Sequence, residues 1–357
     1  MSEAACHVEP ADGSLATLQL LMSPQVHAAQ GGPIELIETH MSWVVLDAQQ
    51  ALKLKKPLWH PPLRDCRTLA GREQDARAEL RLNRRLAPDV YLGLLAVQCD
   101  DGRLTLWPES ALPAPGRTVD WVVCMRRLPA ALMLDRLMAD KCLQPAQMEA
   151  LALTLSRFYQ QAVPASISAQ ALVDRFRHEQ LRNRQVLAAP RFGLTAQALP
   201  ALDWLDRAIE QHARLLGLRV QQCHFVDGHG DLRPEHVCLI DPPVVIDGMS
   251  SNDELRQVDP FEELVALALA CEHQGAAWAG ELLLARCSQR LDDQPDPALL
   301  QIYRASRALL RARLAVAHLL DAAPTRAAHW LALGRVFIAL ARRPASLTAP
   351  SLPPRPA

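Results

Sequence analysis

The stretch from Phe225 to Glu263 constrains this chain more than any other part of its sequence. It contains the triplet His229-Gly230-Asp231, a further histidine at His236, and an apolar run that ends in a second aspartate, Asp247. The apolar runs between these polar residues have the composition of short strands, and the Asp-Pro-Pro between them is typical of a turn. We therefore expect a hairpin that carries Asp247 back towards Asp231 and His236.

This layout matches the needs of phosphoryl transfer. Such a site requires one carboxylate near the attacking hydroxyl and further oxygen ligands for the magnesium ion that neutralises the phosphates. Asp231 and Asp247 supply a carboxylate for each task. The triplet alone is a weak signal, because three such residues occur by chance in many proteins, so the prediction depends on the rest of the chain.

Length, charge and cysteine usage narrow the class of protein. A chain of 357 residues exceeds the usual limit for one hydrophobic core, so two lobes are expected. The formal net charge of −1 gives no electrostatic reason to expect nucleic acid or an anionic membrane as a partner. The nine cysteines are scattered and never spaced as C-x-x-C, which favours reduced thiols. Without a visible signal peptide or long apolar run, the sequence predicts a soluble cytoplasmic protein.

The first third of the chain has the pattern of an antiparallel meander. A helix is predicted at 14–22, and strands are predicted at 34–38, 42–46 and 51–55. In the last of these runs Lys53 and Lys55 share one face of the strand, while two leucines take the other. One interpretation is a solvated edge strand protected by its lysines. The other is a strand whose lysines contact phosphate oxygens.

The next segment predicts a helix from Leu69 to Leu86 with Thr68 as its N-cap. Glu73 and Glu79 are the acids on this helix that can pair with a strand lysine. The five arginines of this segment are expected to form its solvent-exposed face, at positions 72, 77, 81, 84 and 85. Three further strands are predicted, at 90–98, 104–107 and 117–125.

The composition changes from strands to helices after Met125, which predicts an α+β protein. Helices are predicted at 132–139, 145–161, 171–187, 195–216, 260–272, 276–290, 299–320 and 326–342. The domains are an N-terminal helical extension (1–33), an N-lobe (34–128), a helical C-lobe (129–343) that contains the loop 225–263, and a disordered tail (344–357). The acidic run at 292–296 has two interpretations, a surface that attracts a cationic substrate or a solvated loop, and the solvated loop is favoured.

Linked in this order, these features resemble the protein-kinase-like fold. More closely, HGDLRPEH, VVIDG and VDPFEELVAL are similar to the Brenner-type motif of aminoglycoside phosphotransferases, choline kinases and their relatives. IELIETHMSWVVL, ALKLKKP, AELRLNRRLAPDVYLG and IDGMSSNDELRQVD resemble a bacterial branch of that superfamily, largely uncharacterised and often fused to a P-loop kinase-like domain. The resemblance runs from about Ile34 to Cys271. It implies a bilobal fold, with an N-terminal antiparallel sheet lobe that has one major helix and a mainly helical C-terminal lobe.

The resemblance also implies roles for the residues of the central stretch. Asp231 would orient or deprotonate the acceptor hydroxyl, and His229 would brace its loop. Asp247 would hold magnesium across the nucleotide phosphates, with His236 as the second ligand. Asp259 and Glu263 would brace the loop. Glu263 stands where the family carries an aspartate.

Further roles fall on the N-lobe. Lys53 would contact the α and β phosphates, with Lys55 as the alternative. Its partner would be an acid of the following helix, where Glu79 is favoured over Glu73. The remaining nucleotide contacts would come from Thr39 and Ser42, which take the place of a glycine-rich loop, and from backbone groups of the hinge 125–128, including Met125 and Arg127.

Departures from the family pattern leave more than one function open. His236 stands where asparagine is expected, and magnesium prefers oxygen ligands. Ser250 stands where the nearest relatives carry glutamate, and the glycine-rich loop is absent. These departures motivate a weakened or inactive kinase-like protein that binds nucleotide or serves as a scaffold.

The leading hypothesis is an ATP-dependent phosphotransferase that uses Mg²⁺ or Mn²⁺ and acts on a hydroxyl of an unidentified small molecule. A third hypothesis, aminoglycoside modification, rests on analogy within the superfamily. The chain contains no G-x-x-x-x-G-K-[ST] motif, so a functional link to a separate P-loop kinase-like protein is a further expectation.

Overall fold

The computed structural model describes residues 10–27, 32–59, 61, 63–320 and 326–343, which form two compact units. Unit 1 contains the described residues up to Ala130 together with Val245–Glu254. Unit 2 contains Ala131–Val244 and the described residues from Leu255 onward. The segment Val245–Glu254, which the sequence analysis assigned to the helical lobe, thus packs with unit 1. The predicted disordered tail, 344–357, lies outside the described residues.

Unit 1 is built on a six-stranded antiparallel sheet with the order β1-β2-β3-β6-β4-β5. Its strands are β1 (Glu35–Glu38), β2 (Ser42–Leu46), β3 (Gln50–Lys55), β4 (Tyr91–Asp100), β5 (Arg103–Pro108) and β6 (Arg117–Arg126). All six lie within a few residues of their predicted bounds. One of the two interpretations of the lysine-bearing strand is wrong. That strand, β3, lies between β2 and β6, so it is not a solvated edge strand.

The alternation of side chains along β3 gives the sheet two different faces. Leu52 and Leu54 belong to an apolar cluster that also contains Leu21, the last residue of helix α1 (Pro10–Leu21). Lys53 and Lys55 take the opposite face and are buried as well. Successive side chains of a strand point to opposite faces. The alternation of leucine and lysine therefore places the leucines in the apolar core and the lysines against charged partners.

Helix α2 (Leu69–Asn83) supplies those charged partners. Its first turn is capped by Thr68, whose hydroxyl accepts a hydrogen bond from Gly71 N at 3.0 Å. The predicted solvent face is wrong at Arg72, which is buried and donates to Asp120 of β6 at 2.7 Å. A buried guanidinium needs a carboxylate partner, and that partner comes from a strand 48 residues further along the chain.

Unit 2 is mainly helical. Its helices are α3 (Leu134–Ala139), α4 (Pro145–Gln161), α5 (Ala169–Leu187), α6 (Thr195–Gln211), α7 (Ala213–Gln221), α8 (Pro260–His273), α9 (Ala277–Leu291), α10 (Pro297–Ala317) and α11 (Ala327–Leu340). The predicted helix 195–216 is divided at His212, which ends α6 and precedes α7. The predicted α+β fold, an antiparallel sheet with one major helix followed by a mainly helical part, is confirmed.

Four short strands, which form two pairs, belong to the central stretch of the chain. Strands β7 (Val226–Asp227) and β10 (Gln257–Val258) are antiparallel partners. Strands β8 (Val237–Cys238) and β9 (Val244–Val245) form the second two-stranded sheet, so the predicted hairpin is present with shorter strands. Among the described residues, no helix has both the length and the apolar character needed to cross a membrane.

Candidate active-site elements

A buried ion-pair network links strand β3 to helix α2 in unit 1. The Lys53 ammonium lies 2.8 Å from Glu79 Oε1 and 2.6 Å from Asp247 Oδ1. Burial disfavours the charged ammonium, but the charges of Asp247 and Glu79 outweigh it, so the pKa of Lys53 is raised. Lys53 is therefore a cation at neutral pH, held between two carboxylates.

Lys55 joins the same network from the next position on that face. Its ammonium lies 2.7 Å from Glu79 Oε2 and 2.9 Å from Asp75 Oδ2. Ser250 is buried and donates its hydroxyl to Asp75 Oδ1 at 3.2 Å. Both lysines thus pair with Glu79, the acid that the sequence analysis favoured. Glu73, the alternative acid, pairs with Arg77 instead.

The segment that carries Asp247 is fastened to unit 1 by its backbone. Asp247 N donates to the Tyr91 hydroxyl at 3.1 Å, and Gly248 N donates to Asn83 Oδ1 at 2.7 Å. Asp247 has a φ of 60°, a left-handed conformation that aspartate adopts more readily than most residues. Its side chain is 46% exposed, so the carboxylate that pairs with Lys53 also faces solvent. Tyr91 and Asn83 were not anticipated, because nothing local in the sequence marks them as partners.

The residues expected to replace a glycine-rich loop close the turn between β1 and β2. Thr39 Oγ1 donates to Ser42 O at 3.0 Å and accepts from Ser42 N at 2.9 Å. Ser42 is buried, and its hydroxyl has no hydrogen-bond partner among the described residues. The Thr39 hydroxyl is therefore already used within the turn, and the phosphate contacts of both residues stay predictions.

The expected hinge is also well bonded inside unit 1. Met125 is buried at the end of β6. Arg127 N donates to Gln49 O at 2.7 Å, and its guanidinium donates to Asp47 O at 2.7 Å and to Glu35 at 2.8 Å. The backbone N–H of Arg127 is thus engaged, and contacts from this segment to adenine remain a prediction.

The loop that carries Asp231 is held by Glu263 at the start of α8. Glu263 accepts hydrogen bonds from His229 N at 3.1 Å, from Gly230 N and from the Tyr159 hydroxyl at 2.9 Å. Burial raises the pKa of Glu263, although these hydrogen bonds oppose the shift. The loop approaches Glu263 closely because Gly228 has no side chain: a Cβ there would lie 2.8 Å from Glu263 Oε2. Glu263 thus has the bracing role predicted for it.

His229 supports the same loop from within. It is buried, and its Nδ1 accepts a hydrogen bond from Asp231 N at 3.2 Å. Gly230 between them has a φ of 86°, a conformation that glycine adopts without strain. These contacts fix the backbone on both sides of Asp231, whose side chain remains partly exposed.

Asp259 braces helices: its hydrogen-bond partners in the described part of the chain lie outside the Asp231 loop. It caps α8 by accepting from Phe261 N at 2.9 Å. The Arg219 guanidinium donates to both of its oxygens, at 2.6 and 3.0 Å, and the Tyr303 hydroxyl donates at 2.9 Å. Arg219 also donates to Asp293 at 2.6 Å, so part of the acidic run that was expected to be solvated is an internal partner.

His236 uses both ring nitrogens inside unit 2. Its Nδ1 lies 2.9 Å from the carbonyl oxygen of Asp231, and its Nε2 lies 3.0 Å from Arg233 Nη2. A carbonyl only accepts and a guanidinium only donates, so the proton lies on Nδ1 and the lone pair of Nε2 receives the arginine. Arg233 also lies 3.0 Å from Asp231 Oδ2. Arg233, which was not predicted from the sequence, connects Asp231 to His236.

The fit of a magnesium ion can be tested on these residues. Asp247 offers a half-exposed carboxylate, and Mg²⁺ is commonly bound through one or two carboxylates, with substrate phosphates and water as its other ligands. His236 in this arrangement offers no lone pair, and imidazole is a poor magnesium ligand. Among the described residues, no group of three or more His, Cys, Asp or Glu side chains is placed to hold a metal. Asp247 fits the predicted role, whereas the geometry does not favour His236.

A cavity of about 260 Å³ opens beside the Asp231 loop within unit 2. Its polar lining includes Asp231, Arg233 and Glu235, while α8, α10 and α11 contribute apolar walls such as Leu310 and Phe337. Small-molecule sites typically combine apolar walls with a few convergent polar groups. This cavity is therefore the candidate small-molecule pocket of unit 2.

Comparisons of the sequence give distant relatives. No family model matches the chain. The Mycobacterium tuberculosis protein Rv2004c and the Mycobacterium bovis protein Mb2027c, both uncharacterised, are each 28% identical to it over 302 residues. Each alignment covers 83% of this chain and 57% of the relative. The chain thus spans little more than half the length of the curated relatives it matches.

Comparisons of the structure identify the class of fold. The GDP complex of aminoglycoside 2'-phosphotransferase-IIIa aligns over 92% of this chain and 98% of its own, with a TM-score of 0.52 and 15% identity. A choline/ethanolamine kinase family protein from Mesorhizobium loti aligns over 92% and 99%, with a TM-score of 0.49 and 14% identity. The chain therefore has the kinase-like fold of aminoglycoside 2'-phosphotransferase-IIIa. This confirms, at the level of the fold, the resemblance stated from the sequence.

Proposed function

We propose that this chain is an ATP-dependent phosphotransferase that transfers the γ-phosphoryl group to a hydroxyl of a small molecule. The observation that carries the proposal is the position of Lys53, whose ammonium lies between Glu79 and Asp247 in unit 1. A kinase-like site uses such a strand lysine, held by a helix acid, to position nucleotide phosphates.

In this proposal unit 1 binds the nucleotide. Lys53 contacts the phosphate oxygens, and Glu79 keeps its ammonium in place. Lys55, itself paired with Asp75, holds the other oxygen of Glu79. A magnesium or manganese ion bound with the nucleotide would neutralise charge on the phosphates. Asp247 is the residue that would hold it, because its carboxylate is half exposed and its backbone is fixed by Tyr91.

Unit 2 supplies the group that handles the acceptor. Asp231 accepts the proton of the acceptor hydroxyl as the new O–P bond forms and ADP leaves. His229 and Glu263 fix its loop, and Arg233 orients its carboxylate at 3.0 Å. We assign His236 the role of positioning residue, because it joins Arg233 to the Asp231 backbone.

A second candidate function is nucleotide binding without transfer. It is favoured by the ring of His236, whose nitrogens are both engaged, and by Thr39, whose hydroxyl is used within its turn. A scaffold of this kind would suit the predicted link to a separate P-loop kinase-like protein. Aminoglycoside modification, the third hypothesis, rests on the fold alone. A drug-susceptibility assay in a heterologous host tests it.

The first experiment is a thermal-shift titration of the full chain with ATP, GTP and ADP, each with and without Mg²⁺ or Mn²⁺. A ligand that binds only the native state raises the melting temperature, by roughly 2–4 °C at saturating concentrations. We expect a metal-dependent rise for the wild type that is lost in Asp247→Ala and kept in Asp253→Ala, an exposed carboxylate in the same unit.

An assay with acceptor compounds then separates the two candidate functions. Asp231→Asn should lower transfer by about 10²–10⁴-fold, the usual contribution of a general base, and leave the circular dichroism spectrum unchanged. Nucleotide binding without transfer to any acceptor would favour the second candidate. No thermal shift with any nucleotide would contradict both.

A further inference from the structure

The cavity beside Asp231 contains charged side chains of both signs. Its carboxylates are Asp231, Glu235 and Glu263, and its guanidinium groups are those of Arg233, Arg307 and Arg311. The cavity has as many carboxylates as guanidinium groups, but a charge is paired only if a group of opposite charge is in contact with it. The contacts of each group therefore decide what kind of ligand the cavity favours.

All three carboxylates of the cavity have donors. Arg233 lies 3.0 Å from Asp231 and 3.2 Å from Glu235, so one guanidinium serves both. Glu263 accepts hydrogen bonds from backbone N–H groups and from the Tyr159 hydroxyl, and burial raises its pKa. Each carboxylate of the cavity thus already has a donor, so none of them is left for a cationic ligand to pair with.

Two of the three arginines are matched as well. Arg233 pairs with Asp231 and Glu235, and Arg307 lies 2.8 Å from Glu262 Oε1. Arg311 has no carboxylate within ion-pair distance in the part of the chain that the structure describes. Its guanidinium lies 5.7 Å from the centre of the Phe337 ring, on the apolar wall. Among the described residues, Arg311 is therefore the guanidinium of the cavity that has no direct carboxylate partner.

The surroundings of Arg311 make an unmatched charge costly. Burial lowers the pKa of Arg311, and the neighbouring charge of Arg233 lowers it further, while Glu235 and Asp231 oppose the shift. Arginine nevertheless stays protonated at neutral pH. Burial and the charge of Arg311 also lower the pKa of His273, another basic residue of the cavity. A partly desolvated charge without a partner is unfavourable, and a bound anion would remove that penalty.

We propose that the cavity binds an anionic acceptor, a small polyhydroxylated carboxylic acid whose carboxylate pairs with Arg311. The planar guanidinium can donate two parallel hydrogen bonds to a carboxylate. The hydroxyl groups of the ligand would then lie along the polar wall that contains Asp231. The choice of Asp231 as the acceptor-side residue rests on the function proposed above, whereas the preference for an anion rests on Arg311 alone.

The test uses three probes that share a six-carbon polyhydroxylated chain: gluconate is an anion, sorbitol is neutral and glucamine is a cation. Isothermal titration calorimetry at pH 7.5, without nucleotide, measures their binding to the full chain. We expect gluconate to bind at least tenfold more tightly than the other two. Arg311→Gln should reduce the affinity for gluconate to that for sorbitol, and Arg311→Lys should retain part of the preference.

Arg335→Gln is the matched control, because it removes the same charge from an exposed position on α11. It should leave all three affinities unchanged. Equal affinities of the wild type for the three probes, including no binding of any at tens of millimolar, would overturn the proposal, and so would a preference that survives Arg311→Gln. The wild-type comparison decides the matter even if a variant fails to fold.

The outcomes also separate this inference from the proposed function. Nucleotide binding without a preference for gluconate would leave the phosphotransferase proposal standing and remove the anionic acceptor. A gluconate preference that depends on Arg311, in a chain that binds no nucleotide, would support an anion-binding pocket and contradict the phosphotransferase.

Discussion

The two units bury their main charge networks in different ways. In unit 1 the cations are Lys53 and Lys55, single ammonium charges that share Glu79 with each other. In unit 2 the central cation is Arg219, whose guanidinium donates to both oxygens of Asp259 and also to Asp293. An ammonium is a point charge on a flexible stem, while a guanidinium is a rigid fork with fixed donor directions.

This difference separates a network that can exchange partners from one that holds the fold. Lys53 contacts one half-exposed carboxylate, Asp247, so a phosphate oxygen could take a share of its charge without exposing the buried Glu79. Arg219 has its donors fixed on Asp259, which is fully buried and caps α8. We infer that the unit 1 network serves binding and the unit 2 network serves stability.

The largest effect on stability is expected when the shared acid of unit 1 loses its charge. Glu79→Gln leaves two buried ammonium groups with one buried carboxylate, Asp75. Breaking a buried pair from one side typically costs about 3–5 kcal/mol. Urea unfolding followed by circular dichroism measures the change.

Glu73→Gln is the control for that variant, since it makes the same substitution on the same helix in an exposed pair with Arg77. It should change the free energy of unfolding by less than about 1 kcal/mol. Similar losses in the two variants would contradict the shared role of Glu79.

A smaller, pH-dependent effect is expected from the unit 2 network. Burial disfavours the charged form of Asp293, but hydrogen bonds from His224 and Arg219 outweigh it and lower its pKa from 3.8 to about 2. A folded-state pKa below the unfolded value adds stability that is fully present above the unfolded pKa. That stability is lost as the pH falls through the folded pKa. The depression corresponds to about 2 kcal/mol at neutral pH.

Asp293→Asn should therefore lower the free energy of unfolding by about 2 kcal/mol at pH 7, and the difference from the wild type should shrink between pH 4 and pH 2. Urea titrations across this range measure it. Asp292→Asn, at the exposed neighbouring position, should show no such pH dependence. A difference that is constant with pH would show that Asp293 acts through packing and not through its charge.

In unit 1, local sequence patterns predicted the strand and the helix that carry the charge network, but not where the strand lies in the sheet. The alternation in β3 placed Lys53 and Lys55 on one face, and the match of the α2 segment to its family favoured Glu79, which does pair with both. Strand order is not a local property, so the sequence could not tell that β3 is interior. The burial of Arg72 was missed for the same reason, because its partner Asp120 belongs to a distant strand.

Contacts made by the irregular segments were the hardest to predict from the sequence. Asp293 follows helix α9 in an acidic run that looks like a solvated loop, and only the fold shows that Arg219 reaches it. The role of His236 as a predicted metal ligand came from its position in a motif. Its contact with Arg233, three residues away, depends on backbone angles that the motif does not specify.

The smallest effect tests how finely the unit 1 network is balanced. Ser250→Ala removes the hydroxyl that donates to Asp75, while Lys55 still lies 2.9 Å from the other carboxylate oxygen. Loss of one buried hydrogen bond costs about 1 kcal/mol, since the ion pair keeps Asp75 compensated. Ser251→Ala, next in the chain and less buried, is the control, and urea unfolding compares the two. A loss as large as that of Glu79→Gln would mean that Ser250, and not Lys55, is the main partner of Asp75, so that the network depends on directed hydrogen bonds more than on charge.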